Sequence, residues 1–286
     1  MENKDIQSLD MSAPPPPKVP TRRERITPVL VSVISTGMVF VILVLFISSS
    51  EQWPLVQKQF FSWEAMVESF PAVMRGFWLN LRIFFIAEFF ITICSLLLAV
   101  ARSLKSPIAT PIRFAAIAFI DLVRGVPALL LILLFGFGVP ALRLPGLPNS
   151  ALFWGTVALV VSYSAYTSEV YRAGMEAVHD SQRAAARALG LTYWQTLRYA
   201  IIPQAVRNVL PALLNGAVSL QKDVALLSVI GVREAVRASQ IYTARTFNYS
   251  SLIVAAFLFL LASVPLARLT DRVAQQDQER RLQRTR

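Results

Sequence analysis

The chain has 286 residues, of which 55% are hydrophobic and 16% charged, and a formal net charge of +11. That is too apolar for an ordinary soluble domain, and the positive charges lie in the gaps between apolar runs rather than on one basic surface, which argues against a nucleic-acid footprint. A single cysteine, Cys94, rules out an internal disulfide, and the lone histidine, His179, has no second His or Cys with which to build a transition-metal site.

Residues 1–27 are polar, with the Pro14–Pro17 run and the cluster Arg22, Arg23 and Arg25, and predict a disordered cytoplasmic tail. Val29–Ile47 is uncharged and long enough to cross a bilayer, so 28–48 is expected to be an uncleaved first span. The stretch 49–75, with Trp53, Phe60, Phe61 and Trp63, predicts an outer-side segment against the interface. Gly76–Ala101 reads as a second span holding Arg82 and Glu88, followed by a short inner loop marked by Arg102, Lys105 and Arg113. Phe114–Val139 is a third span, carrying Asp121 and Arg124 and broken by Gly125 and Pro127. Pro140–Ser150 then makes an outer turn, and Ala151–Ser168 is a fourth span.

A polar, basic loop at 173–205 follows. Within it, Asp180 or Ser181 can cap an alanine-rich helix, and Gly190 suits a left-handed position just past its end. Thr192 with Gln195 fits a capping box for a second short helix that Pro203 would close or kink. Arg183 and Arg187, four apart, share one face of the first helix. A helix–glycine–helix loop between membrane spans is a shape for gripping something outside the bilayer.

Arg207–Ile230 reads as a fifth span interrupted by Pro211, Gly216 and the pair Lys222-Asp223. Gly231–Tyr249 is an outer segment, Thr246–Ala267 an uncharged sixth span, and 269–286 a basic cytoplasmic tail. With both termini inside, the tails and inner loops hold 19 of the 28 Lys and Arg, the outer segments 6, and the spans only Arg82, Arg124 and Lys222. That asymmetry sets the orientation and puts the helix–glycine–helix loop in the cytoplasm.

The chain has no phosphate-binding loop ending in Gly-Lys-Ser or Gly-Lys-Thr and no hydrolase elbow, so ATP, if it drives this protein, is bound by another subunit. The intramembrane charges are the other signal, because an ionised group at the bilayer centre costs about 2.5–3.5 kcal/mol and usually faces a bundle interior or a wet cavity. Adjacent Lys222 and Asp223 point about 100° apart on a helix and do not neutralise each other along one face. Glu169 and Arg172, one turn apart, fit an interfacial pair as well as a substrate role, and Arg82 and Arg124 lie within reach of an interface. Tyr163 and Tyr166 read first as interface anchors.

Three further stretches join the loop in one order. The run Gln182 to Gly190 followed by Ile201-Ile202-Pro203-Gln204-Ala205 resembles the EAA loop of permease subunits of ATP-binding-cassette importers, polar amino acid permeases in particular. Asp121 to Pro127 followed by Leu129-Leu130, then Ser164-Ala165-Tyr166 with Glu169, Arg172, Ala173 and Gly174, then Leu220 to Ser228 resemble that family's other stretches. Ala184 stands where its loop usually has glutamate, and Val224-Ala225 where it has Thr-Ser.

The resemblance implies a five-helix type I importer core at 76–268, and the uncharged run at 28–48 adds an extra N-terminal span, so the expectation is an all-α integral membrane protein of six transmembrane helices. It makes 173–205 the coupling loop, with Arg183, Ala184, Ala185, Arg187, Leu189, Gly190 and Pro203 meeting a cytoplasmic ABC ATPase. It suggests Tyr166, Glu169, Lys222, Asp223 and Arg124 for the substrate pathway. It also implies a second permease subunit, identical or related, an extracytoplasmic substrate-binding protein, and a bacterial inner membrane setting in contact with lipid. No cofactor is expected on this chain; ATP and Mg would sit on the ATPase. An ion-coupled carrier or channel working through Glu169 or Asp223 leaves the loop unexplained, and a plain membrane anchor leaves the intramembrane charges without purpose.

Overall fold

A computed structural model describes residues 22–104 and 106–284, so the expectations for 1–21, Lys105 and the last two residues fall outside the described part. Every regular element among the described residues is helical. The chain divides after Val56 into two compact units.

The first unit contains helix α1 (Arg22–Ser48), whose Val31–Ser48 stretch has a mean hydropathy of 2.6, enough to cross a membrane. In the second unit, the end of α2 (Trp53–Phe60) leads into the long α3 (Trp63–Ser103), which starts upstream of Gly76. Ser62 caps α3 by accepting from the Ala65 amide. A short 3-10 turn, Pro107–Ala109, opens α4 (Thr110–Arg124).

The breakers at Gly125 and Pro127 then do what the sequence predicts. The Pro107–Arg124 segment and the following Ala128–Ala141 segment meet at 101°. That second segment comprises α5 (Ala128–Leu133), a π turn at Leu134–Gly138 and α6 (Val139–Ala141). Next come α7 (Ala151–Glu176) and the loop helix α8 (Asp180–Ala188). The first turn of the following helix, α9 (Tyr193–Gln195), runs through a π segment, Thr196–Ile201, into α10 (Ile202–Asp223). The chain closes with a 3-10 segment, Val224–Ile230, then α11 (Ala235–Thr246) and α12 (Ser250–Arg284).

Two sequence expectations change here. Pro203 does not end a short helix: it sits in the first turn of α10, where a missing amide is tolerated, so the second loop helix is the head of one long element. Pro211 and Gly216 do not interrupt that element either; the break comes after Asp223, and left-handed Gly231 terminates the 3-10 segment.

Among the described residues, four stretches are long and apolar enough to cross a membrane, Val31–Ser48, Trp53–Ser103, Tyr193–Ile230 and Ser250–Gln276, and the bent pair makes a fifth. The expected fourth span, Ala151–Ser168, falls in α7, which has 26 residues and is long enough to cross but more polar than the other five. Its place in the fold accounts for that. Its buried face carries Gly155, Ala158, Ser162, Ala165 and Ser168, small residues at helical spacing that let α3 and α10 approach closely. At Gly174 a Cβ would lie 2.7 Å from a Val209 methyl and 2.8 Å from the Ala205 carbonyl oxygen, so any side chain would force α7 and α10 apart. The main core, with Ile83, Ile91, Leu159, Leu220, Val224 and Leu227, fills the space between α3, α7 and α10.

Candidate functional site: the inner loop, a charged knot and the face of α10

The loop helix α8 is short and polar, and its ends are fixed locally. His179 caps it, not Asp180 or Ser181: its Nδ1 accepts from the Ser181 amide at 3.2 Å. The imidazole does the work usually given to a hydroxyl or carboxylate. At the other end Gly190 has φ +75°, the left-handed conformation that the sequence predicts, and a Cβ there would meet nothing within 4 Å. The capping box forms as expected, with Thr192 Oγ1 accepting from the Gln195 amide and Gln195 Oε1 from the Thr192 amide.

The loop is tied to the bundle from both sides. Arg183 donates from Nη2 to the Met175 carbonyl at 2.7 Å, and Tyr193 donates from its hydroxyl to the Ser103 carbonyl at 3.0 Å. Ala186 is buried, whereas Ala184, Ala185, Arg187, Leu189 and Gly190 face outward, Leu189 being 80% exposed. Pro203, further along, is exposed at the start of α10. Above α8 lies a cleft of about 1180 Å³, lined by Arg102, Arg113, Arg172, Arg183 and Arg187 and by only two acids, Glu176 and Asp180.

At the top of this cleft the structure assembles a knot of charges from three helices. Glu169 accepts from Arg102 of α3 and from Arg172 at 2.9 Å, and Arg124 at the end of α4 approaches it to 4.0 Å. Arg172 reaches onward to Glu176 at 2.6 Å. Arg124 in turn lies over the Tyr166 ring, 5.7 Å from its centroid, and its carbonyl accepts from the Tyr166 hydroxyl at 3.2 Å. Three of the five predicted pathway residues, Tyr166, Glu169 and Arg124, are therefore one contact network. Its other members, Arg102, Arg172 and Glu176, line the cleft over the loop. Arg102 escaped the sequence reading because its partner lies 67 residues away.

The other two predicted pathway residues stand apart from this knot and from each other. Asp223 turns inward and accepts from the Tyr163 hydroxyl at 2.7 Å, so Tyr163 is a polar partner within the bundle rather than an interface anchor. Lys222 is exposed. Exposed Arg207 and Asn215 share its helix, and steps of 100° per residue bring all three within roughly 80° of one another. A polar stripe thus runs along one open face of α10.

The structure also reveals a buried acid that composition and spacing do not single out. Glu234, fully buried, caps α11: its Oε1 accepts from the Arg237 amide at 2.7 Å and its Oε2 from the Val236 amide at 2.9 Å and from Asn80 Nδ2 at 3.1 Å. Asn80 Oδ1 completes the ring by accepting from the Ala235 amide at 3.0 Å. Burial pushes the Glu234 carboxyl up from the usual carboxylate range, and the three donated bonds oppose that shift. An acid immediately before a helical run was the signal available in the sequence.

Residues 67–276 match the family described as the inner membrane component of binding-protein-dependent transport systems. The chain belongs to that family. Its relatives include the probable amino-acid ABC transporter permease protein YckA of Bacillus subtilis, 32% identical over 77% of this chain and 92% of the relative. The glutamate/aspartate import permease protein GltK of Escherichia coli is 30% identical over 74% of this chain and 96% of its own length. Among solved structures, an amino acid ABC transporter crystallised with histidines is 31% identical, with a TM-score of 0.67 over 75% of this chain and 98% of that one. An inward-facing methionine ABC transporter, MetNI, is 18% identical with a TM-score of 0.61, a likeness of fold. The chain is thus a multi-pass membrane permease subunit of an ABC importer, and ATP hydrolysis resides on a separate subunit. The ion-coupled alternative is not favoured.

Proposed function

We propose that this permease moves a polar amino acid inward across a bacterial inner membrane, with both termini in the cytoplasm and ATP and Mg bound only by the partner ATPase. In this reading α8 docks on the ATPase, a second permease subunit completes the pathway, and an extracytoplasmic binding protein delivers the cargo. The observation that carries it is the charged knot at Glu169. It joins side chains beside the intramembrane Tyr166 to arginines that line the cleft over α8, so a shift of the loop is felt in the bundle.

The open polar stripe of α10 supports a water-filled path facing the second subunit, since Lys222 and Asn215 on a membrane-crossing helix are costly against lipid, with Arg207 continuing the stripe at the cytoplasmic end. The carboxylate of an amino-acid cargo suits exposed Lys222 on this face, while Asp223 stays turned into the bundle on Tyr163. The test is uptake of a panel of radiolabelled amino acids by vesicles holding the complete complex. Polar amino acids should be taken up, and Lys222→Met should abolish that uptake while the complex still purifies with its ATPase. Uptake unchanged in Lys222→Met would remove the stripe from the pathway.

A further inference from the structure

A shallow apolar groove of about 510 Å³ runs between α3 and α4 over a floor contributed by α7. One wall is Cys94, Leu97, Leu98 and Ala101 of α3, and the opposite wall includes Ile112, Ala115 and Phe119 of α4. From residue 94 to residue 101 a helix rises roughly 10 Å, which gives the groove the length of a good part of an acyl chain. Ala101 and Ile112 at its inner end are followed in sequence by Arg102 and Arg113, which line the arginine-rich cleft.

The charges at that junction are unevenly engaged. Arg102 is held by Glu169, Arg172 by Glu169 and Glu176, and Arg183 by the Met175 carbonyl. Arg113 is exposed and has no ion pair or hydrogen bond among the described residues. The orientation set by the Lys and Arg distribution puts it at the cytoplasmic end of the groove, where anionic headgroups lie.

We propose that this corner is a site for one anionic phospholipid of the inner leaflet, its phosphate on Arg113 with Arg102 behind it and one acyl chain in the α3–α4 groove. Soluble anions have no use for the groove, and a zwitterionic lipid, whose own cation offsets its phosphate, gains less from Arg113 than an anionic one. The site goes beyond the transport reading, and its test reads lipid binding rather than uptake.

The test is native mass spectrometry of the detergent-purified full-length chain with its co-purifying subunits, incubated with phosphatidylglycerol or phosphatidylcholine of identical chains. Phosphatidylglycerol should be retained about fivefold better. Arg113→Gln should bring the two lipids to near parity, whereas Ala115→Trp, a bulky ring on the exposed groove wall, should lower retention of both. If that variant does not assemble, Leu97→Trp on the opposite wall serves the same purpose. Excess glycerol 3-phosphate should not displace the lipid. Equal retention of the two lipids, or a preference that survives Arg113→Gln, overturns the proposal. Displacement by glycerol 3-phosphate would make the cleft a plain anion site and overturn it too. So would a groove variant that separates permease subunits without changing lipid retention, because a second copy would then occupy the groove.

Discussion

Replacing Glu234 with alanine should be among the most damaging single changes outside the inner loop. The substitution strands three donors at once, the amides of Val236 and Arg237 and Asn80 Nδ2, at a position where no side-chain surface reaches solvent. A buried donor left unpaired costs about 1–3 kcal/mol, and partial relaxation brings the total to about 3–5 kcal/mol. For a chain of this size that is on the order of 10 °C in thermal midpoint. Asn80→Ala removes one donor and one acceptor of the same ring and should cost about 2–3 kcal/mol. The two share the Nδ2 to Oε2 bond, so the double variant should fall short of the sum by about 1–2 kcal/mol. Fluorescence-detected size-exclusion after graded heating, run on all four proteins, measures the cycle. Strictly additive shifts, or a loss of only a degree or two in Glu234→Ala, would refute the claim that this ring anchors α11 to α3.

Three further outcomes concern the inner face. At Gly190 space is free and only the backbone is constrained, so Gly190→Asn should keep ATP-coupled uptake while Gly190→Val, penalised by about 1–2 kcal/mol in a left-handed conformation, should insert normally and lose coupling. Normal uptake by the valine variant would contradict the docking assignment of α8. Arg187→Glu should weaken co-purification of the ATPase without lowering the thermal midpoint, whereas Arg183→Glu should lower both because Arg183 also anchors the loop to Met175. Equal thermal behaviour of the two would count against that division. Glu169→Gln leaves Arg102, Arg124 and Arg172 without their shared carboxylate, and uptake should fall at least about tenfold with the ATPase still bound. Retained uptake would show that the knot is not part of the coupling.

Much of the fold was legible because its signals are local. Apolar runs marked the helices, Gly125 and Pro127 marked the break in the third, and Gly190 with the Thr192–Gln195 box marked the loop. The size of the bend at 101° was not legible, since it depends on what α4 and α5 pack against. Proline was ambiguous in the sequence for a physical reason: Pro203 satisfies the first turn of a helix as readily as it ends one, and only the continuation into α10 separates the two. His179 was missed as a cap because imidazole seldom serves as one.

The site was legible residue by residue but not as an arrangement. The 100° offset of Lys222 and Asp223 correctly implied different surroundings, yet nothing local indicated that Tyr163 would be the partner of Asp223. Glu169 was singled out, but Arg102, its partner from α3, looked like an ordinary charge flanking a span. Glu234 escaped, because its side-chain partner, Asn80, lies 154 residues away. Contacts of that separation are set by helix packing and leave no mark on spacing or composition.

The most direct test of the account is uptake by proteoliposomes containing this permease, with and without the ABC ATPase that co-purifies with it. ATP enclosed on the ATPase side should drive accumulation of a polar amino acid in the presence of its binding protein, and accumulation should vanish when that ATPase is omitted or when only a proton or sodium gradient is imposed. Accumulation driven by an ion gradient alone, without ATPase or ATP, would contradict it.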